Sequence, residues 1–167
     1  MKFFKILFLF ICVSGFAQHK VGTIDIDYIL SQMPGLPAAQ AQVETYGTEL
    51  EGDLKAKMDL YNTLIKSYQE SEATLSEADR TLKQQEIVTA EEDIKKFQQN
   101  GAQLINLKRD EVLAPMYQKI GDSLEKIAKA EGYAQVLQIN NNIVYISEEN
   151  DLTLAVLKDL GIEVKTN

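Results

Sequence analysis

Ala38–Tyr68, AAQAQVETYGTELEGDLKAKMDLYNTLIKSY, and Leu82–Val112, LKQQEIVTAEEDIKKFQQNGAQLINLKRDEV, are the stretches whose reading decides the fold. Apolar residues recur in both at three- and four-residue steps. In the first they are Val43, Tyr46, Leu50, Leu54, Met58, Tyr61, Ile65 and Tyr68; in the second, Ile87, Ala90, Ile94, Phe97, Leu104, Leu107 and Val112. This period predicts two helices, each with a narrow apolar seam. The positions between read as Glu, Lys, Gln, Asp or Thr, so each helix is expected to carry one stripe, enough to cover a partner helix but too little for a globular core. No proline interrupts Ala38 to Ala114. The expectation is a long antiparallel helical hairpin over residues 36–112, a coiled-coil arm that folds back at the polar stretch Ser71 to Ser76.

The sequence around the turn supports this hairpin. Ser76 and Asp79 have the spacing of a capping box, in which the hydroxyl takes a free amide of the first turn and starts a new helix. Folding the chain there sets Leu36 beside Val112 and brings Pro34 and Pro37 level with Pro115, so that all three prolines mark one boundary. At 1.5 Å per residue the arm would be roughly 50 Å long. Gly47, Gly52 and Gly101 interrupt the pattern, at a cost of up to about 1 kcal/mol each relative to alanine. They read either as points of close helix contact or as points of flexibility.

At the N-terminus, Lys2 and Lys5 precede the short apolar run Ile6 to Val13, and small residues at Gly15 and Ala17 suit cleavage before Gln18. This predicts a secretory signal peptide over residues 1–17, too short for a membrane-spanning anchor. Cys12 follows the bulky Ile11, which disfavours lipoprotein processing. Without the two lysines, the 17 basic residues fall to 15 against 25 acidic, a net charge of about −10, which argues against nucleic acid or an anionic lipid surface as partner. Removal of Cys12 also leaves no cysteine, and the only histidine, His19, sits at the new N-terminus. A catalytic triad, a histidine-based zinc site and a cysteine nucleophile are therefore all disfavoured. No grouping of the remaining Ser, Asp and Glu residues suggests an enzyme, and no cofactor or metal is expected.

The flanks of the arm, residues 18–35 and 113–167, read as a small body. Lys20–Ile24 is a predicted strand, followed by a brief helix with Tyr28, Ile29, Leu30 and Met33, capped by Asp25 or Asp27 and stopped at Pro34-Gly35. The two aspartates read as caps, since a hard cation wants more oxygen ligands. Past Gly132, Tyr133–Ile139 is expected to form a strand, Asn140 to Asn142 a tight turn, and Ile143–Ile146 a returning strand. Asp151 caps a last amphipathic helix closed at Gly161. Three short strands leave open edges, and Ile143 to Ile146 is apolar on both faces. Oligomerisation is the expected remedy, with a shared core drawn from Val21, Ile24, Val136, Leu137, Ile139, Ile143, Val144, Tyr145 and Ile146. The number of subunits is left open by these residues.

The order of these features resembles the Skp/OmpH family of periplasmic chaperones. The resemblance rests on the signal peptide, the Val-Gly-Thr-Ile-Asp strand, the short helix ending at Pro34-Gly35, the Ala/Gln/Glu-rich hairpin, Leu-Ala-Pro115, Lys-Ala-Glu-Gly132-Tyr133 and the Val-Leu-Gln-Ile/Ile-Val-Tyr-Ile pair. It covers essentially the whole mature chain. It implies an α+β homotrimer in the periplasm, a small β-barrel body with three helical arms, which shelters unfolded outer-membrane proteins without ATP and without stable membrane insertion. Well-known members are basic, whereas this chain is acidic, so electrostatic client capture and lipopolysaccharide binding are not carried over. Tyr46, Met58, Tyr61, Tyr68 and Phe97 are the candidate client contacts, because tyrosine and methionine offer adaptable apolar surface. They fall on the same helical stripe, so filling the seam between the helices is the competing reading. A structural or adaptor coiled-coil protein of the envelope, without chaperone activity, is the alternative function.

Overall fold

The computed structural model describes residues 20–140 and 143–163. The expected signal peptide, with Cys12 and His19, and the turn residues Asn141 and Asn142 lie outside the described residues. The elements in chain order are β1 (Lys20–Ile24), α1 (Ile26–Gln32), α2 (Leu36–Ser71), α3 (Glu77–Glu131), β2 (Tyr133–Gln138), a single 3-10 turn (Glu148–Asn150) and α4 (Thr153–Asp159). Long helices with a small sheet make the α+β class expected from the sequence. The chain divides into two compact units, residues 33–118 and a second unit of residues 20–32 with those from 119 onward. α3 contributes to both.

In the first unit, α2 has 36 residues and is therefore about 54 Å long. It starts at Gly35, whose carbonyl accepts the Ala39 amide at 3.1 Å, with Pro37 in the first turn, where a missing N–H is harmless. A Cβ on Gly35 would lie 2.8 Å from Met116 Cε, so the α2 entry runs beside the α3 turn that holds Pro115. α2 ends at Ser71, whose carbonyl takes the amides of Thr74 and Leu75. The Arg80 guanidinium closes the turn on the Glu72 carbonyl at 3.1 Å. Ser76 then behaves as its spacing predicts: its hydroxyl accepts the Asp79 amide at 3.2 Å and donates to the Asp79 carboxylate at 2.7 Å. Pro115 lies inside α3 without ending it.

In the second unit β1 and β2 pair in parallel, with Val21 opposite Gln135 and Ile24 opposite Gln138. On the other side of β1, the Thr23 carbonyl accepts the Leu152 amide at 2.9 Å. Residue 22 must be glycine here, because a Cβ would stand 2.5 Å from Leu152 Cδ1 and 2.8 Å from the Tyr133 ring. Asp25 caps α1 by accepting the Tyr28 amide at 2.8 Å, and its own amide donates to Thr153 Oγ1 at 2.8 Å. α1 packs on α4, and the core of this unit is Ile24, Ile29, Ile120, Leu152, Val156 and Leu157. Gly132 and Gly161 close α3 and α4 with φ of 74° and 72°, the left-handed conformation that glycine adopts without strain.

One expectation is overturned. Ile143–Ile146 forms no strand, so among the described residues the sheet has two strands rather than three and no C-terminal β-hairpin. The segment is irregular, with Val144 96% and Tyr145 86% exposed. Sequence pattern gives a stretch the capacity to be a strand, but the strand exists only where a neighbour takes its amides and covers its faces. Within one chain β1 supplies that neighbour to β2, and no described strand supplies one to Ile143–Ile146.

Candidate functional site

The hairpin carries an apolar seam along both of its helices. The half-buried residues include a series at 50, 54, 57, 61, 64, 68 and 71 on α2 and at 83, 87, 90, 94, 97, 101, 104 and 108 on α3, flanked by further half-buried positions such as Tyr46, Gly47, Ile65, Ser67, Glu91 and Ile105. Within this series steps of four and three alternate, the 3.5-residue heptad of a coiled coil. A reading by free three- and four-residue steps drifts from it. Lys57 takes the seam position assigned to Met58, which is 46% exposed, and Leu107, 56% exposed, lies outside the seam that Leu104, Ile105 and Lys108 line.

Several seam positions are polar. Lys57 places Nζ 5.6 Å from the Phe97 ring centroid, Lys83 Nζ donates to Ser67 Oγ at 3.2 Å, and Gln84 donates to the Tyr68 hydroxyl at 2.7 Å. With two helices and polar insertions, the seam never closes: from residue 40 to residue 118 no side chain reaches full burial. The outer faces are solvated by i,i+4 pairs such as Glu91–Lys95 at 2.7 Å and Glu92–Lys96 at 3.7 Å. The Glu91 carboxylate, by hydrogen bond and charge, raises the Lys95 pKa above its ordinary value.

The expected contact residues divide. Tyr46, Tyr61, Tyr68 and Phe97 are half-buried along the seam, and Met58 is exposed beside it. Sequence reading missed an apolar patch beside the seam, formed by Leu60 and Leu82 with the seam residue Leu64, all three assigned to the polar positions between the stripes. Leu60 and Leu82 are 56% and 64% exposed, and with Leu64 and Ala90 they line an open cleft of about 530 Å³. The pair Leu60 and Leu64, one helical turn apart and one step off the stripe, was the available signal.

The residues expected to form an oligomer core lie in the second unit. Ile24 is buried in the chain's own core, whereas Val21, Leu137, Val144 and Tyr145 are exposed and Val136, Ile139, Ile143 and Ile146 are half-buried. Among the described residues β2 has β1 on one edge and no strand on the other. No described group of His, Cys, Asp and Glu has the arrangement of a metal site, and no described helix is long and apolar enough to cross a membrane.

Comparison with known proteins places this geometry among relatives. A family model described as outer membrane protein (OmpH-like) matches residues 20–160. The chaperone protein Skp of Pectobacterium atrosepticum is 24% identical over 155 residues, which cover 86% of this chain and 87% of that protein. The chaperone protein Skp of Photorhabdus laumondii is 24% identical over 152 residues, covering 89% of each. The solved structure of an OmpH-like protein from Caulobacter crescentus shares the fold, with a TM-score of 0.62 at 14% identity over 92% of this chain and 90% of that one.

Proposed function

The chain belongs to the OmpH-like outer membrane protein family, and on that premise we propose that it is an ATP-independent periplasmic holdase, not an enzyme, which keeps unfolded outer-membrane proteins from aggregating. The observation that carries this reading is the open seam. A chaperone without nucleotide must shelter apolar segments by many weak, reversible contacts, and a two-helix hairpin with no fully buried side chain between residues 40 and 118 keeps its tyrosines, leucines and Phe97 within reach of a second polypeptide. The working form is a homo-oligomer, in the family's manner a trimer, in which subunits complete the sheet and clients are held between the hairpins. The test is dilution of a urea-unfolded outer-membrane β-barrel protein into buffer with the mature chain. Light scattering is expected to stay at baseline at about one assembled oligomer per client, with no added nucleotide. Aggregation at the rate seen without the protein, from a sample that is folded and assembled, would instead leave a spacer or adaptor of the envelope.

A further inference from the structure

We propose that the cleft between Gly47 and Gly101 is a docking site for an aromatic side chain of an unfolded polypeptide that has a lysine or arginine beside it. This rests on the chaperone reading and names the kind of segment that the hairpin holds. Gly101 occupies a seam position where the heptad calls for a large side chain, and nothing lies within 4 Å of where its Cβ would be. Across from it a Cβ on Gly47 would have only Ile105 Cδ1 near it, at 3.4 Å. The resulting gap of about 370 Å³ is walled by Leu50, Leu54, Phe97, Ala102 and Ile105. A flat ring suits a space between two bare helix backbones, and Phe97 offers it an aromatic neighbour.

Charge selects what accompanies the ring. The one charged group in the lining is Glu51, exposed, and without a hydrogen bond or ion pair among the described residues. Lys57 is already engaged with the Phe97 ring. From Gln40 to Leu54, α2 carries the carboxylates of Glu44, Glu49, Glu51 and Asp53 and no cation, while Phe97 to Leu107 on the facing helix carries no charge at all. An apolar gap with a free carboxylate on its lip complements a ring next to a cation and opposes a ring next to a carboxylate.

The chain contains no tryptophan, so the indole of an added peptide is the sole tryptophan signal. The probe is acetyl-Gly-Ser-Lys-Trp-Lys-Ser-Gly-amide, titrated with the mature full chain beside matched peptides carrying Glu-Trp-Glu and Lys-Ala-Lys. The Lys-Trp-Lys peptide is expected to show a saturable blue shift and to bind about tenfold more tightly than Glu-Trp-Glu. Lys-Ala-Lys should not displace it. The preference should shrink from about 20 to about 150 mM salt as the Debye length shortens. Gly101→Leu, which fills the gap and favours helix, should keep or raise the melting temperature while weakening binding about tenfold. Glu51→Gln should retain ring binding and lose the charge preference. Equal affinity of wild type for the two tryptophan peptides, or unchanged binding by a folded Gly101→Leu, would overturn the assignment. Aggregation suppression measured on the same wild-type preparation separates the two readings: if it holds while the peptides are not distinguished, only the cleft is wrong.

Discussion

Asp159 stands at the end of α4, where its carboxylate accepts hydrogen bonds from the Lys126 ammonium and, at 2.8 Å, from the buried Ser123 hydroxyl. These two partners hold its pKa below the ordinary aspartate value. A carboxylate with a depressed folded-state pKa stabilises the fold above its unfolded pKa and loses that contribution as pH falls through the folded one. Asp159→Asn should therefore lower the melting temperature at neutral pH, and its gap from wild type should narrow as pH falls through and below the aspartate range. A gap that stays constant down to acid would show that shape rather than charge holds Asp159 in place. Ser123 makes the position informative in another way: nothing in the sequence marks it, because its partner lies 36 residues away. Asp25 and Ser76, by contrast, were legible as caps, since each acts on an amide three residues ahead and local spacing alone predicts that contact.

At the scale of elements the same division holds. The hairpin, its turn and the glycine stops at Gly132 and Gly161 follow from period and local backbone preference, so sequence alone locates them. The register of the seam does not follow, because choosing Met58 over Lys57 on hydrophobicity ignores the heptad series that runs along both helices, and only the facing helix fixes which residue meets it. The strand at Ile143–Ile146 was misread for a related reason: its apolar residues report a need for cover, and no local rule says whether the same chain provides it. Lys57 gives this a measurable form. Its stem lies in the seam while its charge must stay hydrated, so Lys57→Leu should add apolar contact with Phe97 worth about 1 kcal/mol. Slower hydrogen exchange of the surrounding α2 and α3 amides is the expected readout, and faster exchange would show that the cation contact with Phe97 outweighs the burial.

For the molecule as a whole, the second unit presents more interaction capacity than one chain uses. Among the described residues the outer edge of β2 carries backbone donors and acceptors with no strand beside them, Val21 and Leu137 are 45% and 41% exposed, and Val144 and Tyr145 stand almost entirely in water. An unprotected edge next to apolar side chains recruits another chain unless charge or proline blocks it, and Gln135 and Gln138 of β2 supply neither. Family membership and this surface together lead us to expect self-association in which Ile143–Ile146 gains in the assembly the strand partner that it lacks among the described residues of one chain. Melting temperature should then rise with protein concentration, because association stabilises the folded state by mass action. Val144→Asp is the discriminating variant: at 96% exposure it costs a lone chain almost nothing, whereas in an assembled sheet it would bury an unpaired carboxylate. A variant that melts like wild type, independently of concentration and at the mass of a single folded chain for both proteins, would show that this surface meets no second copy and that the exposed residues await a different partner.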